Sequence, residues 1–287
     1  MTGGGERPTA PGQGLQAVRD FWETSPCGEV YARGESPRER LEAQAGVRYA
    51  LEPCIRGFAR FEEARERDVL EIGVGMGADH LEWAQASPRS LSGIDLTGQS
   101  IAFTRERLGL YGRRSHLLVA DAEHLPFRDS SFDLVYSWGV IHHSPDTPAA
   151  VREIARVLRP GGRARVMIYH RRSLVGFMLW LRHGPLAGRP GRSVDEIYAQ
   201  HLESPGTKAY SPARAREMFA AFSEVKITSE LGPGDLLLGA TGQRHRGPLL
   251  GAARRLYPRW AVRRLLPHCG LYLLIEARRP CGPESGP

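Results

Sequence analysis

The chain has 287 residues, 41% of them hydrophobic, with 39 Lys or Arg against 32 Asp or Glu and a formal net charge of +7. That apolar content supports one sizeable core with room for a cap, and it excludes a disordered or fibrous polypeptide. Cys27, Cys54, Cys269 and Cys281 lack the paired spacing of a zinc site or a disulfide framework, and no apolar run reaches the roughly 18 residues of a membrane span, so a reducing cytoplasm is the simplest setting.

Residues 1–14 are rich in Gly and Pro without the apolar stretch of a secretory signal, which predicts a disordered tail. Residues 15–66 read as a helical cover, with helices over 15–23 and 37–64. Then comes Val69-Leu70-Glu71-Ile72-Gly73-Val74-Gly75-Met76-Gly77, an apolar strand ending in an acid and three alternate glycines. Glycines are needed where backbone turns sharply from strand into helix and a ligand must approach without Cβ atoms in the way. The spacing predicts a helix over 78–86 and a strand over 90–95, closing on Asp95 about 20 residues after the glycines, where a ribose contact is usual. Up to this point a nicotinamide or flavin enzyme also fits, because Gly73, Gly75 and Ala78 satisfy the looser dinucleotide pattern G-x-G-x-x-A.

Further along, a helix over 98–109 leads to a strand over 115–120 that ends in Asp121-Ala122-Glu123. A strand over 132–137, a helix over 147–157, an L-R-P-G-G turn at 158–162 and a strand over 163–169 follow. Such alternation predicts a parallel sheet with helices on both faces and ligands at the carboxyl ends of the strands. Residues 171–211 interrupt it. Ser173 to Leu181 is apolar nearly all round, which suits either a buried lid helix over a hydrophobic pocket or ordinary core. Phe177 and Trp180 are therefore candidate substrate contacts, joined by Tyr210, which a helix cap at Ser211-Pro212 would aim inward. A helix over 212–222 and strands over 223–230 and 271–278 complete the elements, with a short tail at 281–287.

The second interruption, 232–268, holds Arg244, Arg246, Arg254, Arg255, Arg259, Arg263 and Arg264, with no Asp or Glu between Asp235 and Glu276. Leu249, Leu250, Leu256, Trp260, Val262, Leu265 and Leu266 interleave with them. The pattern fits an amphipathic helix at an anionic surface, or a solvated face in a chain whose only lysines are Lys208 and Lys226.

The ordered set E-x-G-x-G-x-G at 71–77, G-I-D-L at 93–96, D-A-E-x-L-P-F at 121–127, F-D-L-V at 132–135 and L-R-P-G-G at 158–162 resembles the class I S-adenosylmethionine-dependent methyltransferases, in particular the type 11 small-molecule group. The resemblance runs from about residue 69 to 169. It implies a Rossmann-like α/β fold, a seven-stranded sheet with helices on both faces and an antiparallel last strand, and S-adenosylmethionine as cofactor. Glu71, Gly77 and the Gly73-Val74-Gly75 backbone would flank the methionine end. Asp95 would accept from the ribose hydroxyls with Leu96 against the adenine, while Asp121, Ala122 and Glu123 would read the adenine edge. Ser137 and Trp138 open the segment where cofactor meets acceptor.

Methyl transfer is an in-line displacement that needs the acceptor held about 3 Å away with water excluded, and it requires no metal. His142, His143 and His170 are candidates to take a proton from an acceptor O–H or N–H, the paired histidines having structural packing as the other role. Phe21, Trp22 and Tyr31 lie in the segment that folds over the cofactor in similar enzymes, which makes Tyr31 a candidate to reach the sulfonium. The resulting expectation is methyl transfer to O or N of a small organic molecule, with a specialised metabolite as first choice. The alternatives are a quinone or lipid methyltransferase in peripheral contact with a membrane, and a cofactor-binding protein without methyl transfer. Ser137-Trp138-Gly139-Val140 stands where nucleobase amino-methyltransferases carry Asn/Asp-Pro-Pro-Tyr, so no nucleic-acid partner is expected.

Overall fold

The computed structural model describes residues 11–24, 26–238 and 257–281. Its sheet contains β1 (Asp68–Ile72), β2 (Ser90–Asp95), β3 (His116–Val119), β4 (Phe132–Trp138), β5 (Leu158–Tyr169), β6 (Ser223–Glu230) and β7 (Tyr272–Arg278), in the order β3-β2-β1-β4-β5-β7-β6. All neighbours are parallel except β7, which runs antiparallel to β5 and β6 as expected. The order reverses between β1 and β4, so the loops leaving these two strands diverge and open a crevice at their carboxyl ends.

The central strands are apolar on both faces because both are covered. On one face Leu70, Ile72, Val135, Val166 and Ile168 meet α6 (Thr147–Val157) and α9 (Pro212–Met218) through Val151, Ile154, Ala215 and Phe219. On the other, Val69, Leu134 and Tyr136 meet α4 (Ala78–Gln85) and α5 (Gly98–Leu110) through Trp83 and Leu108. Short polar residues start these helices: Asp146 accepts from Ala149 N, Thr97 from Ser100 N, and Ser211 from Arg214 N with Pro212 at the first helical position.

Departures from the sequence reading have local causes. Helix α1 (Pro11–Thr24) starts inside the segment read as a tail, and residues 1–10 lie outside the described residues. The helix expected over 37–64 is α2 (Pro37–Leu51), α3 (Cys54–Ala59) and a short 3-10 turn, because Pro53 sits between the first two and Arg60 takes a left-handed φ of 50° after the second. The L-R-P-G-G stretch is the opening of β5, paired irregularly with β4.

Helix α7 (Leu174–His183) is not a buried lid, since only Gly176 and Leu179 are buried and Phe177 is 58% exposed. Tyr198 of α8 (Val194–His201) lies so close to Gly176 that a Cβ there would be 2.2 Å from its hydroxyl, which puts the narrow stripe of α7 inward and its large side chains outward. Of the basic insertion, Arg244, Arg246, Arg254 and Arg255 fall outside the described residues, as do Leu249, Leu250 and Leu256. Arg259, Arg263 and Arg264 lie on α10 (Arg259–Leu265), where Val262 is buried while Trp260 and Leu265 are 77% and 74% exposed. Among the described residues no helix is long and apolar enough to cross a membrane.

Candidate active site

A cavity opens at the carboxyl ends of the central strands, and one half of it is walled by Gly73, Val74 and Gly75 after β1, Asp95 and Leu96 after β2, and Asp121 and Ala122 after β3. Gly73 has a φ of 82°, and a Cβ there would come within 2.1 Å of Val140 Cγ2, so glycine alone lets the β1 and β4 loops meet. Gly75, at φ 50°, faces open space and leaves its backbone on the cavity wall. Its N–H donates to Asp95 Oδ2 at 3.0 Å, while the Thr97 N–H and hydroxyl donate to Asp95 Oδ1 at 3.0 and 2.9 Å. Burial raises the Asp95 acid above its usual range against the pull of these donors. Asp121 Oδ1 accepts from Glu123 N at 2.9 Å. Each carboxylate oxygen has more than one lone pair, so acceptor capacity remains at two adjacent strand ends. Acceptors for hydroxyls and an amine, beside an open glycine backbone, fit the nucleoside and amino-acid ends of S-adenosylmethionine.

Glu71 reaches this wall already engaged, its Oε2 standing 2.8 Å from His80 Nδ1. His80 Nε2 is 2.7 Å from Ser115 Oγ, whose own proton goes to the Leu91 carbonyl at 3.0 Å, so Nε2 is the donor of that pair. Burial pushes His80 down to about 3 and Glu71 well up, giving a neutral pair in which the Glu71 acid proton is donated to Nδ1. Nearby, Arg48 Nε and Nη2 clamp Asp79 Oδ1 and Oδ2 at 3.1 and 2.6 Å, and the Tyr49 and Tyr136 hydroxyls donate to the same carboxylate at 2.9 and 3.0 Å.

The other half of the cavity is aromatic, with Trp22 from α1 and Trp138, Tyr169 and Tyr272 from the sheet. Glu52 ties it together, accepting from the Tyr272 hydroxyl at 2.6 Å and from Trp138 Nε1 at 3.3 Å. His143 lines this half with its ring edge-on to Trp22 at 5.3 Å. Its Nδ1 is 2.8 Å from Ser204 Oγ and 3.1 Å from Thr207 Oγ1, and its Nε2 is 3.4 Å from Glu203 Oε2. Glu203 also lines the cavity and accepts from the Tyr169 hydroxyl at 2.8 Å.

Of the residues expected from sequence, Glu71, Gly73, Val74, Gly75, Asp95, Leu96, Asp121, Ala122, Trp138 and His143 share this cavity. Gly77 is the left-handed N-cap of α4, Glu123 accepts from Asp146 N at 2.6 Å, and Ser137 is fully buried within the sheet, so these three stand off the wall. His142 is buried behind it between His143 and Tyr169, at ring distances of 4.2 and 4.0 Å, and burial beside His143 and Lys208 holds it well below the usual histidine range. His170 faces the Gly270 carbonyl at 3.1 Å, and Tyr210 pairs with the same stretch of backbone through a bridge to His170. Among the described residues that line the cavity, His142, His170, Tyr31, Phe177, Trp180 and Tyr210 do not appear. Sequence reasoning missed Arg48, Glu52, Asp79, His80 and Glu203. Asp79, beside the glycine loop, was the one with a local signal; Glu203 is 60 positions from His143 and had none.

Residues 70–166 match the profile of the methyltransferase domain family, type 11. Methyltransferase GfsG of Streptomyces halstedii is 35% identical over 112 residues, covering 38% of this chain and 40% of that protein. The 27-O-demethylrifamycin SV methyltransferase of Amycolatopsis mediterranei is 35% identical over 97 residues, covering 33% of this chain and 36% of its own length. The chain thus spans well under half the length of these relatives. Among solved structures, the cyclase SpnF superposes with a TM-score of 0.59 over 96% of this chain and 100% of its own at 18% identity, a likeness of fold alone. The ordered motifs, the strand order and the profile match agree over the motif-bearing stretch: residues 70–166 carry a methyltransferase domain of the type 11 family, similar to the class I S-adenosylmethionine-dependent methyltransferases.

Proposed function

We propose that this chain transfers a methyl group from S-adenosylmethionine to O or N of a small organic molecule in specialised metabolism. The observation that carries the reading is the continuity of one cavity, from the Gly75 backbone, Asp95 and Asp121 to an aromatic half that contains His143 and Glu203. Bound against the first half, S-adenosylmethionine supplies an electrophilic methyl group on a sulfonium. Asp95 and Asp121 hold the nucleoside end by accepting hydrogen bonds, and the amino-acid end lies against the glycine loop, where no Cβ intrudes at Gly75. Trp22, Trp138 and Tyr169 flank a flat or apolar acceptor and exclude water, and orientation of this kind contributes several kcal/mol to a displacement. His143 is the one imidazole of the three candidates that lines the cavity, which supports it as the group beside the acceptor.

The name of one relative, a 27-O-demethylrifamycin SV methyltransferase, supports a natural-product acceptor. SpnF, a cyclase with the same fold, makes the reaction itself the thing to test. Calorimetry with S-adenosylmethionine and S-adenosylhomocysteine should give micromolar binding that Asp95→Ala weakens at least tenfold. Incubation with a panel of hydroxylated and amino natural products should release S-adenosylhomocysteine, with loss of turnover but not of cofactor binding in His143→Ala. Binding without turnover on any acceptor would favour a cofactor-dependent scaffold, and absence of binding would sink the reading.

A second reading, a quinone or lipid acceptor at a membrane surface, is favoured by exposed Trp260, Leu265 and Leu266 beside Arg263 and Arg264 on and after α10. Co-sedimentation with vesicles containing anionic lipid, abolished by Trp260→Ala with Leu265→Ser, is the expected result for that reading. Equal recovery in the supernatant with and without vesicles would reject it.

A further inference from the structure

Around His143 the hydrogen-bond accounting does not close. Thr207 Oγ1 donates its proton to the Ser204 carbonyl at 2.7 Å, so toward His143 Nδ1, at 3.1 Å, it can only accept. Ser204 Oγ, at 2.8 Å, can donate or accept; where it accepts, Nδ1 carries the hydrogen and in the neutral ring Nε2 carries a lone pair. That lone pair stands 3.4 Å from Glu203 Oε2, itself an acceptor that takes the Tyr169 hydroxyl proton, and no hydrogen bond joins the two. In that tautomer two acceptors are turned toward each other, the imidazole buried and the carboxylate partly exposed. Directly behind, both ring nitrogens of His142 are buried without a hydrogen-bond partner. Leaving such groups unpaired costs about 1–3 kcal/mol each, and a single cation set between them would satisfy several at once.

We propose that His142, His143 and Glu203 bind a divalent transition-metal ion of the zinc class at the acceptor end of the cavity. One ligand atom from each of the three lies within 4.8 Å of the others. Two imidazole nitrogens and one carboxylate oxygen form a donor set suited to Zn²⁺ or Co²⁺ and poorly suited to Mg²⁺ or Ca²⁺, which prefer oxygen throughout. The surroundings are those of a metal site: Ser204 and Thr207 hold the far nitrogen of His143, and Tyr169 holds the carboxylate. Three protein ligands leave a fourth position, and because His143 and Glu203 line the cavity that position opens to the acceptor. The site adds to the methyl-transfer reading without depending on it, since metal binding is measured without turnover.

The test uses the full chain, stripped with a chelator, dialysed and titrated calorimetrically with Zn²⁺, then loaded with Co²⁺ to read visible ligand-field absorption. One equivalent should bind at micromolar affinity or better, and the Co²⁺ spectrum should show the strong bands of a four-coordinate ion. Glu203→Gln, at a half-exposed position and so safe for folding, and His143→Gln should each weaken binding at least tenfold, with circular dichroism confirming the fold. Cys27→Ser, on the same cavity wall, should leave binding unchanged and excludes a thiolate ligand. Absence of stoichiometric binding, or binding indifferent to Glu203→Gln and His143→Gln, would overturn the proposal. Failure of the methyl-transfer reading would appear separately, as lost S-adenosylmethionine binding with metal binding intact.

Discussion

At the residue scale, Gly73 and Gly75 share a left-handed backbone but face different constraints. Alanine at 73 meets both strain and a wall, with Val140 Cγ2 at 2.1 Å and Cγ1 at 2.9 Å. Gly73→Ala should cost about 2–4 kcal/mol of folding stability, read by urea denaturation. Val140→Ala in that background should restore part of the loss, leaving the φ strain. Gly75→Ala has open space ahead, so its stability cost should be only about 1 kcal/mol, while its methyl group intrudes on the cavity and weakens S-adenosylmethionine binding. The two glycines should thus separate stability from affinity, and equal stability losses at both positions would contradict the contact with Val140. Both glycines and Asp95 were legible in sequence, because the need for φ > 0 and for an acceptor at a strand end leaves a residue-type signature. The neutrality of Glu71 was not legible, since it depends on His80 and Ser115 arriving from other elements.

At the scale of elements, one of the links that hold the N-terminal cover to the Rossmann-like body is the Arg48–Asp79 clamp between α2 and the first turn of α4. Asp79 is held below the usual carboxylate range by Arg48 and by hydroxyl donors, against its own burial. Breaking one side of a buried pair leaves an uncompensated charge, so Arg48→Met should cost about 3–5 kcal/mol. Arg48→Met with Asp79→Leu should recover much of it, and a double-mutant cycle in denaturant measures the coupling. Additive losses would mean that the two side chains do not interact. The strands and helices from β1 to β5 were legible to within a residue or two at most ends, since alternating apolar runs and Ser, Thr or Asp caps are local signals. The exception is β5, whose opening L-R-P-G-G looks like a turn and pairs irregularly. The character of α7 was illegible for the opposite reason: its composition is apolar all round, and only the contact between Gly176 and Tyr198 decides which stripe is buried. Glu203 belongs to the same class, entering the site through a turn that no periodicity connects to His143.

For the whole molecule, the Glu71–His80 pair writes a signature into the pH dependence of stability. In the fold the pair holds the Glu71 acid proton and a neutral His80, whereas the unfolded chain titrates near the ordinary values of 4.5 and 6.5. Above 6.5 the unfolded pair binds one proton fewer than the folded pair, so stability falls as pH rises, by up to about 1.4 kcal/mol per pH unit. Between 4.5 and 6.5 both states bind the same number and the pair contributes a plateau. Below 4.5 the unfolded pair binds one more, and stability falls as pH drops. Other groups overlay this. Asp235, raised to about 6 by burial, adds stability that is lost as pH rises from 3.8 through 6, and Asp68, lowered chiefly by its hydrogen bond from Arg89, adds stability lost below 3.8. The pair is therefore read by difference. In Glu71→Gln the alkaline decline should vanish and the acid decline should begin below 6.5 instead of 4.5, because only the buried neutral His80 remains to titrate. Urea denaturation at pH 4 to 8 on both proteins decides it: a wild-type minus variant difference that falls steadily above pH 4.5 shows one proton retained by the Glu71–His80 pair, and parallel curves show that the pair retains none and leaves a free carboxylate on the cofactor wall.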